Sequence, residues 1–344
     1  MVIDANMYWL PESIFQEEEA EKFLAEVPKA YGMNARFIKN EDSGIHQIAI
    51  EKPTSYHNLN YIQGEYILEK QLADMDEAKV EKAIMKIPGC HEWMSLHTCK
   101  KFNDGMYAHA KKSKGRCIPM AVVPPYASKA CFEELNRCKE MGFKGVQLCA
   151  HYGDYYLDDD LFKEFFEKLN EEKTTVYIHH TPVPVQYDSL YEYNNLRRSY
   201  GRCVDQTTAI CRELFSGFFD KYPNLTFVHS MLGGGFFALE HMLFPHKEKE
   251  ASVNRFESAD DIKTQFKKHI YFEMSHAQPW GKHQLECAIA VLGADHIIFG
   301  SSYPVKKEWL TQGTAFVESL AITREEKDMI LYQNALRIYN IEDK

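Results

Sequence analysis

Three observations make a (β/α)8 barrel the fold this sequence predicts. The chain has 344 residues, too many for one small sandwich or bundle and about right for one α/β barrel with insertions, or for two medium domains. Eight short apolar runs recur along it with amphipathic stretches between most of them, the rhythm of a parallel sheet covered by helices. No repeat at solenoid period, low-complexity run or Pro/Gly/Ser linker interrupts that rhythm. A doubly wound open sheet is the alternative that the pattern alone leaves.

The apolar runs, in order, are Met1–Ala5, Lys82–Ile87, Cys117–Val123, Gly145–Leu148, Thr175–Ile178, Leu225–Val228, Ile270–Phe272 and His296–Phe299. Each is short enough for a buried strand. Ser128–Met141, Leu161–Glu171 and Thr208–Lys221 carry the clearest helical amphipathicity. Residues 12–72 break the alternation, being too long for one crossover. Within them Ala35–Phe37 and Gln47–Ile50, joined by the turn-like stretch from Asn40 to Gly44, predict a β-hairpin. An insertion in the first βα loop of a barrel lies on the catalytic face, so it should roof the site. The whole chain, 1–344, is then one barrel domain with 12–72 as an inserted cap.

Composition narrows the partners. A net charge of −10 argues against general binding to nucleic acid or to anionic membranes, where a basic face supplies most of the affinity. The start, MVIDANMYWLPE, has no signal-peptide character, and no stretch approaches the length of a membrane span. Nine scattered cysteines, without a C-x-x-C pair, fit reduced thiols, and the expected location is cytoplasmic.

Specific phrases then carry a resemblance. QLADMDEAKVEKAIM, with Met75, Asp76, Glu77 and Ala78, is followed by GFKGVQL, LDDDLFKEFFEKLNEEKTTVYIHH, ELFSGFFDKYPNLTFVHSMLGGG, GADHIIFGSSYP and YQNALRIYNI. In this order, nearly end to end, they resemble the amidohydrolase-related family of the aminocarboxymuconate semialdehyde, resorcylate and vanillate decarboxylases. The resemblance implies a barrel with a metal site at the carboxyl ends of its strands, and makes a homodimer a fair expectation. It also implies a ligand pattern: D-x-H-x-H on strand one, a His on each of strands five and six, and an Asp in G-S-D-Y-P after strand eight. This chain departs from it. Asn6 and Tyr8 stand at the two strand-one histidine positions, Ser302 stands at the aspartate position, and Met231 falls at the strand-six position, with His229 two residues earlier. Only His179 matches.

A catalytic zinc needs about three His, Asp, Glu or Cys ligands. Amide and hydroxyl oxygens are weak ligands, and a Tyr must ionise to be a good one. The expectation is therefore no metal cofactor. The alternative is zinc or another divalent ion on a remodelled site built from His179, His229 and a neighbour such as His276.

Strand parity places the candidate chemistry. Thr175, Tyr177 and His179 are expected inward on strand five, Phe227 and His229 inward on strand six, Ile298, Gly300 and Ser302 inward on strand eight, and Asn6 and Tyr8 together on strand one. His180 should point away from His179 unless the strand has ended. This set has acid–base capacity without a metal. His179 is assigned to proton transfer, with His229 assisting and Tyr8 as donor or general acid. Asn6 and Ser302 would hold substrate oxygens. Arg197 and Arg198, with Arg202 nearby, could clamp a carboxylate. His276, His151 and Glu273 are further candidates at strand ends. Gly233-Gly234-Gly235 precedes a likely helix, FFALEHML, but lacks a nucleotide motif, and a tight turn is its default reading. The expected function is a decarboxylase, related lyase or hydrolase acting on a small carboxylated aromatic or unsaturated acid. The rival is a non-catalytic barrel that binds a small molecule or a partner protein.

Overall fold

Every one of the eight apolar runs becomes a strand in the computed structural model, which describes residues 1–52, 57–185, 187–190, 196–247 and 260–342. In chain order β1 is Ile3–Tyr8. The insertion follows, with helix α1 (Glu17–Ala25) and an antiparallel sheet of β2 (Asn34–Lys39), β3 (His46–Glu51) and β4 (His57–Ile62). The predicted hairpin is β2–β3, and β4 is an additional strand whose polar sequence HNLNYI hid it. Residues 53–56 of the expected cap lie outside the described residues. After α2 (Leu68–Ala78) come β5 (Lys82–Lys86), α3 (Leu96–Lys112), β6 (Cys117–Pro119) with its continuation β7 (Ala121–Val122), α4 (Lys129–Glu140) and β8 (Val146–Cys149). Ser95 and Ser128 start α3 and α4 by accepting bonds from the backbone N–H groups of Thr98 and Cys131. A small hairpin, β9 (His151–Tyr152) and β10 (Tyr155–Tyr156), leads to α5 (Lys163–Glu171) and β11 (Thr175–His179). A π-helical turn at Arg197–Gly201 runs into α6 (Arg202–Phe215), which precedes α7 (Phe218–Lys221), β12 (Thr226–His229), β13 (Ile270–Glu273) and β14 (Ile297–Ile298).

All pairings in the central sheet are parallel, in the orders β1–β5–β6 and β7–β8–β11–β12–β13–β14. The last strand closes on the first: Ala5 N–H bonds to Phe299 O (2.9 Å), Ser302 N–H to Asn6 O (2.8 Å) and Tyr8 N–H to Tyr303 O (2.8 Å). The result is a (β/α)8 barrel. Its interior holds Ile84, Ile118, Tyr177, Val228, Tyr271 and Ile298, with Tyr339 from the closing helix packed against them. The larger core lies between strands and helices, where Phe166, Phe218 and Phe227 meet.

Two local expectations change. The amphipathic stretch expected from Thr208 begins at Arg202 and breaks at Gly217 (φ +82°). The glycine run does not open a long helix. Met231 to Gly235 all adopt left-handed φ, and helix resumes only at Glu240–Leu243. A Cβ on Gly234 would lie 1.9 Å from the backbone oxygen of Cys203, so this turn lies directly against α6.

Candidate active site

At the carboxyl ends of the strands a cavity of about 480 Å³ opens between barrel and insertion. Tyr8, His179, His180 and His276 reach it from the barrel, Arg198 and Arg202 from the segment after β11, and His57, Asn58 and Tyr61 from β4 above. β4 of the insertion thus lines the cavity together with the strand ends.

Tyr8 and His179, from strands on different sides of the ring, meet at 2.9 Å between Oη and Nε2. The other ring nitrogen settles the direction of that bond. Nδ1 of His179 lies 2.5 Å from the carbonyl oxygen of His180, which can only accept, so Nδ1 carries the proton and Nε2 accepts from Tyr8. Asn6 donates through Nδ2 to Ser302 Oγ (2.9 Å). The Ser302 hydroxyl lies 3.3 Å from Tyr8 Oη and 3.2 Å from His276 Nδ1. A directional chain therefore runs from Asn6 through Ser302 and Tyr8 to His179. Ser302 (φ +55°) and His276 (φ +62°) both sit in the left-handed region, held there by the loops that follow β14 and β13.

Asn6 and Tyr8 face the site because β1 bulges: its pairing with β5 slips between Asp4 and Met7, so that Ile3 and Ala5 point into the barrel and then Asn6 and Tyr8 do. β11 ends at His179, which frees His180 to turn the same way, and their rings stack at 4.1 Å. Ser230 at the end of β12 accepts the N–H of His180 at 3.0 Å.

Burial sets the electrostatics. His179 and His180 are held well below the ordinary imidazole range by desolvation and by neighbouring His91 and His179 respectively. Desolvation, then Arg202, lowers His276 to about 3. Desolvation also raises the Tyr8 phenol, which stays protonated. The floor of the cavity is thus a set of neutral imidazoles and hydroxyls, with Arg198 and Arg202 on its wall.

Beneath it lies a group that sequence reasoning missed. Lys86 ends β5 wholly buried inside the barrel, bonded to Ala5 O and 4.0 Å above the Tyr177 ring. Its counter-charges are Asp4 and Glu273, both wholly buried. Glu273 accepts from Tyr177 Oη (2.9 Å), Asn6 Nδ2 (3.0 Å) and Ser275 Oγ (2.6 Å). A Cβ on residue 300 would lie 2.0 Å from Glu273 Oε1, so Gly300 makes room for the carboxylate. Desolvation moves both partners toward neutrality, raising Glu273 and lowering Lys86. A lysine within an apolar run was the available signal.

Other candidates lie elsewhere. The expectation that His229 faces inward is corrected by strand register: His229 pairs with Ile178, whose side chain is in the outer layer, while Val228 pairs with Tyr177, and both fill the interior. His229 therefore faces α6, bonding to Gln206 (3.0 Å) and Glu213 (2.8 Å). His151 is not a solvated loop residue on the cavity. It is buried in a network with Asp205 (2.9 Å) and Thr181 (2.6 Å). Arg197 stacks 3.9 Å above the Tyr187 ring and donates to Leu190 O, leaving Arg198 and Arg202 to line the cavity.

The family's metal does not fit this set. At the positions that the resemblance assigns to ligands stand one imidazole whose Nε2 is taken by Tyr8, a protonated phenol, a serine hydroxyl, the Met231 thioether and an amide whose nitrogen is shared among Glu273, Ser275 and Ser302. Two buried atoms nearby, Asn6 Oδ1 and His91 Nε2, lack partners, but they add only one neutral oxygen and one nitrogen. Among the described residues no group of three or more His, Cys, Asp or Glu could hold a metal ion. Nor among them is any helix long and apolar enough to cross a membrane.

Comparison with known proteins agrees with this architecture. The chain is 23% identical over 256 residues to 2-amino-3-carboxymuconate-6-semialdehyde decarboxylase of Dictyostelium discoideum, covering 72% of this chain and 68% of that one. It is 22% identical to gamma-resorcylate decarboxylase of a Polaromonas strain, covering 80% and 88%. The crystal structure of 5-carboxyvanillate decarboxylase from Novosphingobium aromaticivorans, complexed with manganese and 4-hydroxy-3-methoxy-5-nitrobenzoic acid, superposes with a TM-score of 0.75 at 18% identity, covering 99% and 96%. The amidohydrolase family model matches residues 89–341, and the chain belongs to that family.

Proposed function

We propose that this chain is a carboxy-lyase acting on a small carboxylated aromatic or unsaturated acid, and that it works through His179 and Tyr8 without a divalent metal. The observation that carries the reading is the hydrogen-bonded chain Asn6–Ser302–Tyr8–His179, which occupies the family's ligand positions at the floor of a cavity lined by arginines. Relatives that are decarboxylases support the reaction class.

In this reading the acid lies under the β4 roof with its carboxylated carbon against Tyr8 and His179. A carboxylate brought next to His179 raises the proton affinity of an imidazole that burial had held neutral. The C–C bond breaks and CO2 leaves. The electron pair left on carbon takes the Tyr8 Oη proton, which is hydrogen-bonded to His179 Nε2. After release a water returns a proton to Tyr8, and its hydroxide combines with the departing CO2 as bicarbonate. Ser302 and Asn6 steady the Tyr8 oxygen while its charge changes. His276, and Arg198 on the cavity wall, position the substrate. Glu273 contributes by fixing Asn6. His229 and His151 have no contact with the cavity in this scheme. The domain reading is one barrel unit over 1–344, with 12–72 as its roof.

The test is metal analysis of the purified protein together with a screen of aromatic and unsaturated acids for CO2 release. The expected result is turnover that survives exhaustive chelation, with metal far below one per chain. Stoichiometric metal whose removal abolishes turnover would overturn the metal-free chemistry.

A further inference from the structure

Arg202 is an anomaly in the cavity wall. It is 6% exposed, and it forms no ion pair with any described residue. Its hydrogen bonds go to neutral oxygens alone, and all through Nη2: Asn58 Oδ1 (2.6 Å), Asn58 O (3.2 Å) and, weakly, Pro182 O (3.5 Å). Nε is buried without a partner. Arg198 lies close enough to oppose its charge, and burial with that repulsion draws the guanidinium down to about 9. A buried cation without a counter-ion is costly, because several kcal/mol of hydration are lost with no Coulombic return. The fold tolerates such a group where a ligand supplies the missing charge. Glu65, the acid among the cavity-lining residues, is already bonded to Lys70 at 2.8 Å.

The partners of Arg202 add a second point. Asn58 belongs to β4 of the insertion, whereas Arg202 opens α6 of the barrel. This side chain is a bridge between roof and barrel, and the bridge ends on the cavity wall in a guanidinium whose Nε and Nη1 bond to no described residue.

We propose that Arg202 is the seat of the ligand's carboxylate, and that filling it fastens the β4 roof strand to the barrel. The proposal rests on the cavity being a site for an organic acid, as set out above, but not on the reaction. A carboxylate docks on the Nη1 side of the guanidinium by charge-assisted N–H···O bonds, with Arg198 adding long-range attraction. Nη2 keeps its grip on Asn58, so one planar group holds ligand and roof together. The ligand class is a small organic monoanion or dianion with a planar carboxylate.

The experiment compares benzoate with neutral benzamide and with inorganic phosphate, by calorimetric titration and thermal shift, on wild type, Arg202→Gln and Arg202→Lys. Benzoate is expected to bind wild type at least tenfold more tightly than benzamide, with phosphate weaker than benzoate. Arg202→Gln should erase that preference, and Arg202→Lys should restore part of it. The ligand-free Arg202→Gln protein should melt no lower than wild type, since it loses an uncompensated charge. Hydrogen exchange in residues 57–62 should slow on adding benzoate in wild type, and not in Arg202→Gln. Equal benzoate affinity in wild type and Arg202→Gln would overturn the proposal. So would benzamide binding as well as benzoate, or a roof strand indifferent to benzoate. Asn58→Ala covers the case in which Arg202→Gln fails to fold: it should keep benzoate binding within a few-fold and lose the slowing of exchange. Failure here leaves the His179 chemistry standing if CO2 release still depends on His179. Loss of that dependence with benzoate binding intact sinks the chemistry and leaves the carboxylate seat.

Discussion

His179 and His229 end neighbouring strands of one sheet, both are wholly or almost wholly buried, and they face opposite worlds. His179 looks into the cavity, and its two nitrogens meet a tyrosine hydroxyl and a backbone carbonyl. His229 looks into the helix layer, and one of its nitrogens meets the carboxylate of Glu213. The difference teaches what makes a buried histidine available. A carboxylate partner ties the ring into the scaffold, whereas a ring that burial holds neutral and that meets a hydroxyl at a cavity can exchange a proton.

That contrast can be broken by measurement. On an acid found in the CO2-release screen, His179→Ala should lower kcat/KM by about 10³-fold, within the range for losing a positioned acid–base group. His229→Ala should stay within a few-fold, and equal losses in both variants would erase the distinction. Stability should show the reverse order. His229→Ala leaves Glu213 buried without its partner and should cost about 3 kcal/mol in urea unfolding. Tyr8→Phe removes the hydroxyl without changing packing and should cost roughly 2 kcal/mol in transition-state stabilisation, read as a fall in kcat with KM little changed.

A pH series sharpens the comparison further. His91 and His276 are pulled down by burial to about 4 and about 3, while an unfolded imidazole titrates near 6.5. Below that pH the unfolded chain takes up protons that the folded chain refuses. The histidine contribution to stability should therefore fall as pH drops from about 6.5 toward 4, by at most about 1.4 kcal/mol per pH unit for each such histidine. Glu273 and Glu92, which burial raises to about 7, pull the other way in this window, so the histidine share is read as the difference between wild type and His276→Gln. Identical pH slopes in the two would contradict a buried neutral His276. The smallest expected effect is that of Ser230→Ala, which removes the acceptor of the His180 N–H and should cost about 1 kcal/mol.

What could be read along the chain was what depends on neighbours in sequence. The eight strands are runs of apolar residues, and the hairpin from Ala35 to Ile50 carries its turn within it. The inward direction of Tyr177 and His179 follows from alternation within β11. What could not be read depends on distant pairing. The orientation of His229 is decided by its register with Ile178, on a strand some fifty residues earlier. The bulge that presents Asn6 and Tyr8 exists only against β5. Arg202 looked like one charge in a polar stretch, because its burial comes from Asn58 in the insertion. Lys86 was legible in principle, since a lysine on the inward face of a strand buried on both sides must find counter-charges inside the barrel.

The seam between the first and last strands has a consequence for the making of the protein. Asn6 and Ser302 are separated by 296 positions, and Tyr8 is tied to Tyr303 across the same junction. On the ribosome the N-terminal segment emerges long before the residues that complete its site exist. A nascent chain halted before residue 297 would hold most of the helices and seven of the eight barrel strands, yet would lack β14 and, beyond it, Ser302 at the floor of the pocket. Competence arrives in the last stretch of synthesis, when the ring shuts.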